Sequence, residues 1–127
     1  MNDLEPIIGL EIHLQLKTKS KMFCSCVNQG QEIGSGANTD VCPICLGHPG
    51  TLPTINAEAV TQGVRFSLAL HAYINRHSKF DRKHYFYPDL PKGYQITQFD
   101  RPIATDGYLV LWFEGQKKRF GIERLHL

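Results

Sequence analysis

Four cysteines are the residues of this 127-residue chain whose type and spacing most clearly predict chemistry. Cys24 and Cys26 form one pair, Cys42 and Cys45 form the other, and 15 residues separate the pairs. Two close pairs of thiols joined by a loop are the typical ligand set of a structural zinc knuckle, here over residues 24–45. Disulfides are the alternative, but Cys24 and Cys26 are too close to bridge well. Because four thiolates fill a tetrahedral site, we expect a structural rather than a catalytic metal.

A second candidate for metal chemistry is the pair Glu11 and His13. Leu and Ile alternate with polar residues over residues 8–16, which predicts a half-buried strand. Glu11 and His13 then project from its polar face with Cα atoms about 6.5–7 Å apart. A carboxylate and an imidazole so placed could bind a divalent cation that positions phosphates. The alternative is an exposed strand face with an ordinary ion pair.

Basic and aromatic residues are concentrated in residues 78–95, which we predict to form a rigid loop. Cationic side chains suit phosphate oxygens and aromatic faces accept stacked bases, so the run fits a nucleotide or a single-stranded RNA end. The alternative is a surface loop whose aromatic rings anchor it to the core. The cations of the run are Lys79, Arg82, Lys83 and Lys92, and its aromatic residues include Tyr85, Tyr87 and Tyr94.

One long helix should support these segments. Asn56 is a good N-cap, and the pattern predicts a helix over residues 57–74. Its apolar stripe consists of Val60, Val64, Leu68 and Ala72. Residues 17–55, rich in Gly and Pro, should contain little regular structure.

The C-terminal part predicts a β-hairpin. Its strands cover residues 108–113 and 118–125, residues 114–117 join them, and Trp112 should lie in the core or half-core. The fold class is therefore α+β, with a mainly antiparallel sheet, one long helix and a zinc-knuckle loop. The chain stops within a predicted strand, so we expect residues 1–127 to be the N-terminal part of a larger, truncated domain.

The composition is that of an ordinary globular protein, with 42% hydrophobic and 20% charged residues. A net charge of +2 is too small to indicate nucleic-acid binding by itself. No apolar run is long enough to cross a bilayer, and nothing resembles a secretion signal. We therefore expect no membrane partner and a reducing, cytoplasmic location, which suits cysteines kept as metal ligands.

Five motifs in this order resemble the N-terminal part of the B-subunit family (GatB/GatE) of aspartyl/glutamyl-tRNA amidotransferases. They are IGLEIH (residues 8–13), KSKMFC (19–24), CPICLGHPG (42–50), KFDRK (79–83) and YFYPDLPKGYQI (85–96). The resemblance implies a place in the larger catalytic cradle domain of an ATP-dependent, glutamine-hydrolysing tRNA amidotransferase, a carbon-nitrogen ligase of protein biosynthesis. Members of this family activate the side-chain carboxylate of misacylated Glu-tRNA(Gln) or Asp-tRNA(Asn) with ATP, for amidation by glutamine-derived ammonia.

The resemblance also implies partners, cofactors and residue roles. The partners are misacylated tRNA and the amidase (A) and small (C) subunits of a heterotrimer. The cofactors are a structural Zn²⁺ and Mg²⁺, and ATP is a substrate. Glu11 and His13 match the family's magnesium ligands, and further acidic ligands follow beyond Leu127, so the isolated fragment should be inactive. The phosphate-binding residues would be Lys79, Arg82, Lys83 and Lys92, and the aminoacyl end would meet Tyr85, Tyr87 or Tyr94. Since some family members lack the cysteines, zinc would support the fold or orient the neighbouring loop.

Two alternatives belong to other classes. An archaeal-type relative, which amidates only Glu-tRNA(Gln), shares these N-terminal motifs. A zinc-stabilised RNA-binding module without catalysis would also explain the cysteines and the basic run.

Overall fold

The fold is α+β, as predicted, and its strands are antiparallel. The computed structural model describes residues 4–28, 36 and 38–127. Strands β1, β4 and β5 form one sheet in the order β1-β4-β5, and β2 and β3 form a separate two-stranded sheet. The elements are α1 (Pro43–Leu46), α2 (Ala57–Ala69), β1 (Tyr73–Ile74), β2 (Asp81–His84), β3 (Tyr94–Thr97), β4 (Ala104–Phe113) and β5 (Gln116–Leu125).

Helix α2 begins as predicted and ends earlier than predicted. The side chain of Asn56 accepts hydrogen bonds from the backbone N–H groups of Glu58 (2.9 Å) and Ala59 (3.3 Å), which confirms the N-cap. The prediction that the helix continues to about residue 74 is wrong. His71 adopts a left-handed φ of 55°, and the chain then enters β1, which pairs with β4. Pairing with a distant strand therefore overrides local helix propensity.

The buried face of α2 differs in part from the predicted stripe. Val60 and Val64 pack against the core, as expected. Leu68, however, is 58% exposed, and Ala72 joins the core from beyond the helix. The buried positions of the helix are the small residues Ala59, Gly63 and Ser67. Small residues allow close packing here: a Cβ atom at Gly63 would lie 2.9 Å from the Leu127 side chain.

The C-terminal hairpin is confirmed, and its turn is tighter than predicted. Strands β4 and β5 pair from Ala104↔Leu125 to Phe113↔Gln116, so only two residues, Glu114 and Gly115, join them. Their φ values of 49° and 73° are those of a type I′ turn. The buried core, formed by Ala72, Ile103 and Ala104, lies at the opposite end of the hairpin.

Trp112 does not lie in the core, contrary to the prediction, because it is 75% exposed. It lies near the turn, where β4 has extended well past β1, whose partners in β4 are Thr105 and Ala104. Among the described residues, nothing packs over this outer half of the hairpin. The alternation of residue types thus predicted the strand correctly, but it did not predict which side chains of the strand are buried.

The predicted half-buried strand over residues 8–16 is wrong for this structure. This segment contains no regular secondary structure, and Leu10 and Ile12 are 86% and 88% exposed. Alternation predicts which side chains share a face, but a strand also requires a neighbouring strand, and the described part of the chain places none beside it. Within the described residues of 17–55, regular structure is limited to α1 and an isolated bridge between Ser20 and Val27, as expected.

The basic and aromatic run is a hairpin rather than only a loop. Strands β2 and β3 pair from Asp81↔Thr97 to His84↔Tyr94, and residues 85–93 connect them. We call this unit, residues 81–97, the basic hairpin. In the described part of the chain, no helix is long and apolar enough to cross a membrane.

Candidate functional site

The structure brings the four predicted metal ligands together. The sulfur atoms of Cys24, Cys26, Cys42 and Cys45, here called the cysteine cluster, all lie within 4.8 Å of one another. None of the four forms a disulfide. Tetrahedral zinc with Zn–S bonds of about 2.3 Å requires sulfur atoms about 3.8 Å apart, so a small contraction would complete a site. The cysteine cluster could hold a metal ion and is compatible with structural zinc.

Two tight turns present these thiols. In the first, the Lys21 N–H donates to the Cys26 carbonyl at 2.9 Å, which folds the chain back around Cys24. In the second, the Cys42 N–H donates to the Cys45 sulfur at 3.1 Å across α1. Residues 29–35 and 37 of the predicted knuckle, among them Gly30 and Gly34, lie outside the described residues. The cysteine cluster itself therefore depends on short local turns.

Hydrogen bonding and burial separate the acidities of these thiols. The backbone N–H of Cys45 stabilises the Cys42 thiolate and lowers the pKa of Cys42 to about 7. The hydrogen bond between the Cys26 thiol and Cys42 favours the protonated form of Cys26 and raises the pKa of Cys26 to about 12. Burial raises the pKa of Cys24. A metal bound here would replace the thiol protons, so binding would release protons.

Glu11 and His13 are exposed in the segment without regular structure. Among the described residues neither side chain forms an ion pair or a hydrogen bond, and the cysteine cluster is the single group with metal-binding geometry. The structure therefore does not assemble a cation site around Glu11 and His13. Their role as magnesium ligands stays a prediction.

The basic hairpin brings several candidate residues together. The Arg82 guanidinium carbon lies 4.5 Å from the centre of the Tyr94 ring, and the Lys92 ammonium lies 5.2 Å from the same centre. Lys83 lies 5.7 Å from the ring centre of Tyr85. All three are cation–π contacts within the usual range. Tyr87, in the connection, is exposed.

Lys79 differs from the other candidate cations because it is already paired. Its ammonium lies 3.0 Å from Asp81 and 3.1 Å from Asp100. Hydrogen bonds to these carboxylates raise the pKa of Lys79, and the hydrogen bond from Lys79 lowers the pKa of Asp100. The prediction from sequence missed both carboxylates, although the spacing of Lys79 and Asp81 could have indicated the first. Lys79 is therefore less available to a phosphate than Arg82, Lys83 or Lys92.

A cleft of about 140 Å³ lies between the cysteine cluster and the basic hairpin. Cys24, Cys45, Lys92 and Tyr94 are among the residues that line it. Phe23 also lines the cleft, and its ring makes a perpendicular contact with the ring of Phe80 at 5.2 Å. The metal-binding and phosphate-binding candidates are therefore neighbours in space.

Two residues of this region were not predicted from the sequence. Phe86, in the connection of the basic hairpin, is 97% exposed, and it occurs within the aromatic run that could have indicated it. Gly47 follows Cys45 by two residues and ends α1 with a left-handed φ of 69°. A glycine at this position after a Cys-x-x-Cys pair is a recognisable sequence signal for such a turn.

Comparison with known proteins shows similarity along the whole chain. Residues 6–127 match the family model described as the GatB/GatE catalytic domain. The chain is 53% identical over 127 residues to the B subunit of the aspartyl/glutamyl-tRNA(Asn/Gln) amidotransferase of Brevibacillus brevis, covering 100% of this chain and 26% of that protein.

Relatives from other lineages give similar values. The chain is 54% identical over 123 residues to the protein of the same name from Campylobacter curvus, covering 97% of the chain and 25% of that protein. It is 56% identical over 127 residues to the chloroplastic/mitochondrial B subunit of the glutamyl-tRNA(Gln) amidotransferase of Oryza sativa subsp. japonica, covering 97% of the chain and 23% of that protein. The chain spans about a quarter of the length of the curated relatives it matches.

Proposed function

The chain belongs to the GatB/GatE catalytic domain family, and on that premise we propose that it is the N-terminal part of the B subunit of a tRNA-dependent amidotransferase. The observation that carries this proposal is the 53% identity to a bacterial B subunit over all 127 residues. The three relatives named above are all called B subunits, which favours this proposal over an archaeal-type enzyme.

The proposed reaction activates a carboxylate. The side-chain carboxylate of Glu on tRNA(Gln), or of Asp on tRNA(Asn), attacks the γ-phosphorus of ATP and forms an acyl phosphate while ADP leaves. Ammonia from glutamine then attacks the acyl carbon, and inorganic phosphate leaves as the amide forms. In the first step, negative charge is concentrated on the phosphoryl group being transferred, and cationic side chains must stabilise it. Among the described residues, Arg82, Lys83 and Lys92 have no carboxylate within 4.0 Å, which suits them to this role.

Magnesium would be held by Glu11 and His13. A bound Mg²⁺ would neutralise phosphate charge and orient the nucleotide. Because Glu11 and His13 would supply only two ligands, water, phosphate and other side chains would have to supply the rest. The exposure of both side chains leaves them accessible to such partners.

Zinc would be held by the cysteine cluster and would support the fold. With four thiolates bound, zinc has no open position for a substrate. The assembled enzyme would include the amidase (A) and the small (C) subunits, with misacylated tRNA as the substrate. We place this enzyme in the cytoplasm, where thiols stay reduced.

The test uses the full-length polypeptide assembled with its partner subunits. Glu11→Ala and His13→Ala should each lower ATP-dependent amidation of Glu-tRNA(Gln) by about 100-fold or more, because removing charge stabilisation acts on the activation step. Glutaminase activity should persist. Gln15→Ala, an exposed polar position in the same segment, is the matched control and should leave amidation unchanged.

Unchanged amidation in both variants would rule out the assignment of Glu11 and His13. A complete enzyme that binds tRNA but never consumes ATP would instead support the RNA-binding module without catalysis.

A further inference from the structure

The aliphatic stem of Lys92 lies directly against the backbone of Gly47. A Cβ atom added at Gly47 would lie 2.6 Å from the Lys92 Cβ, 3.4 Å from its Cδ and 3.6 Å from its Cγ. Three successive atoms of the stem therefore run over the position where any other residue would have a side chain. Gly47 follows Cys45 by two residues, and its left-handed φ of 69° is set by the turn that ends α1. Gly47 therefore connects the two: it follows Cys45 of the cysteine cluster in the chain, and it packs against the side chain of Lys92.

The charged end of Lys92 and the guanidinium group of Arg82 both contact the ring of Tyr94. Both cations lie within cation–π range of Tyr94, at 5.2 Å and 4.5 Å from its centre. Two cations near one ring repel each other unless an anion lies between or beside them. No carboxylate among the described residues pairs with either one. A phosphate group is the ligand that best complements such a pair.

We infer that the cysteine cluster positions Lys92 through Gly47, so that Lys92 and Arg82 together bind a phosphate group of the substrate. Gly47 is a positioning residue and does not touch the phosphate itself. The inference rests on the proposed function, because ATP and the tRNA backbone are the two sources of that phosphate. On this inference, the turn that ends α1 has a specific role, which is to position the charged side chain of Lys92.

Three substitutions separate the parts of this arrangement. Lys92→Met keeps the apolar stem over Gly47 and removes the charge. Gly47→Ala inserts a methyl group into the stem of Lys92 and leaves all four cysteines in place. Gly50→Ala is the matched control, because Gly50 has a similar φ of 79° but an added Cβ there meets nothing within 4 Å. The backbone strain is therefore common to both glycine variants, and only Gly47→Ala disturbs Lys92.

Binding is measured at equilibrium on the full-length protein assembled with its partner subunits, with ATP and deacylated tRNA as separate probes. Lys92→Met should weaken binding of at least one probe by about tenfold, the loss expected for one charge-assisted contact. Gly47→Ala should weaken the same probe by about threefold or more relative to Gly50→Ala, with zinc content unchanged. If the probe is tRNA, Lys92→Met should also reduce the slope of log affinity against log salt by about 0.7.

The double variant Gly47→Ala/Lys92→Met decides the mechanism. If Gly47 acts through Lys92, adding Gly47→Ala to Lys92→Met should cause no further loss. A further loss as large as that of Gly47→Ala alone would overturn the inference, and so would equal binding by Gly47→Ala and Gly50→Ala. Normal binding of both probes by Lys92→Met would instead refute the phosphate-binding role given to Lys92 under the proposed function.

Discussion

Replacing Asn56 by Ala should destabilise the chain by about 2 kcal/mol, because this side chain joins two parts of the fold. Its oxygen caps α2 by accepting from Glu58 and Ala59, a contribution of about 1 kcal/mol. Its amide nitrogen donates to the Ser20 carbonyl and hydroxyl at 3.0 Å each and to the Lys21 carbonyl at 3.4 Å. These bonds to the segment before Cys24 should add about 1 kcal/mol.

Asn56→Asp separates the two contributions. It keeps the capping oxygen and loses the donors, so it should cost about 1 kcal/mol, half the loss of Asn56→Ala. Thr61→Ala is the control. Thr61 is exposed in the same helix, and within the described part of the chain its hydroxyl bonds only the Ala57 carbonyl, so the loss should stay within about 0.5 kcal/mol.

Urea unfolding of the metal-loaded chain, followed by circular dichroism, measures these differences. With a typical slope of about 2 kcal/mol per molar urea, Asn56→Ala should lower the midpoint by about 1 M at unchanged slope. If Asn56→Asp is as stable as the original chain, the bonds to Ser20 and Lys21 contribute nothing. If it is as unstable as Asn56→Ala, the cap contributes nothing, and either result would refute the division made here.

Two further predictions concern the cysteine cluster and the C-terminal hairpin. Metal analysis of the purified chain should find about one zinc per chain, and Cys42→Ser should lower this value because a tetrahedral site loses a ligand; disulfide-bonded thiols without metal would contradict the assignment. Gly115→Ala should destabilise the chain by about 1 kcal/mol in the same urea assay, since its φ of 73° strains a side chain, whereas Gly121→Ala, whose added Cβ meets nothing within 4 Å, should not. Equal losses in the two glycine variants would argue against a type I′ turn.

Features that depend on neighbours in sequence could be predicted. Asn56 caps α2 because its side chain reaches backbone groups only two and three residues away. The second cysteine pair forms its turn across three residues, so spacing alone indicates it. The C-terminal hairpin likewise depends on a two-residue turn with local preferences. In each case, the interaction that determines the local structure joins residues only a few positions apart, so the local sequence is enough to predict it.

Features that depend on distant partners could not be predicted in the same way. Residues 8–16 alternate like a strand, but alternation does not specify a neighbouring strand. Helix α2 ends early because Tyr73 pairs with Thr105, a residue far along the chain. In the candidate site, the pairing of Lys79 with Asp100 and the contact of Gly47 with Lys92 have the same origin. The sequence could indicate which residues belong to the candidate site. The residues that each of them contacts could be identified only in the folded structure.

The two-residue turn between β4 and β5 also bears on the order in which the chain folds. Closing it costs less entropy than closing residues 75–103, which separate β1 from β4, by about 2 kcal/mol. We therefore expect β4 and β5 to pair before β1 docks on β4. During synthesis, however, α2 leaves the ribosome before residues 104–125 exist, so the helix must wait for its packing surface. The early part of the chain is consequently exposed to chaperones and proteases until the late hairpin arrives.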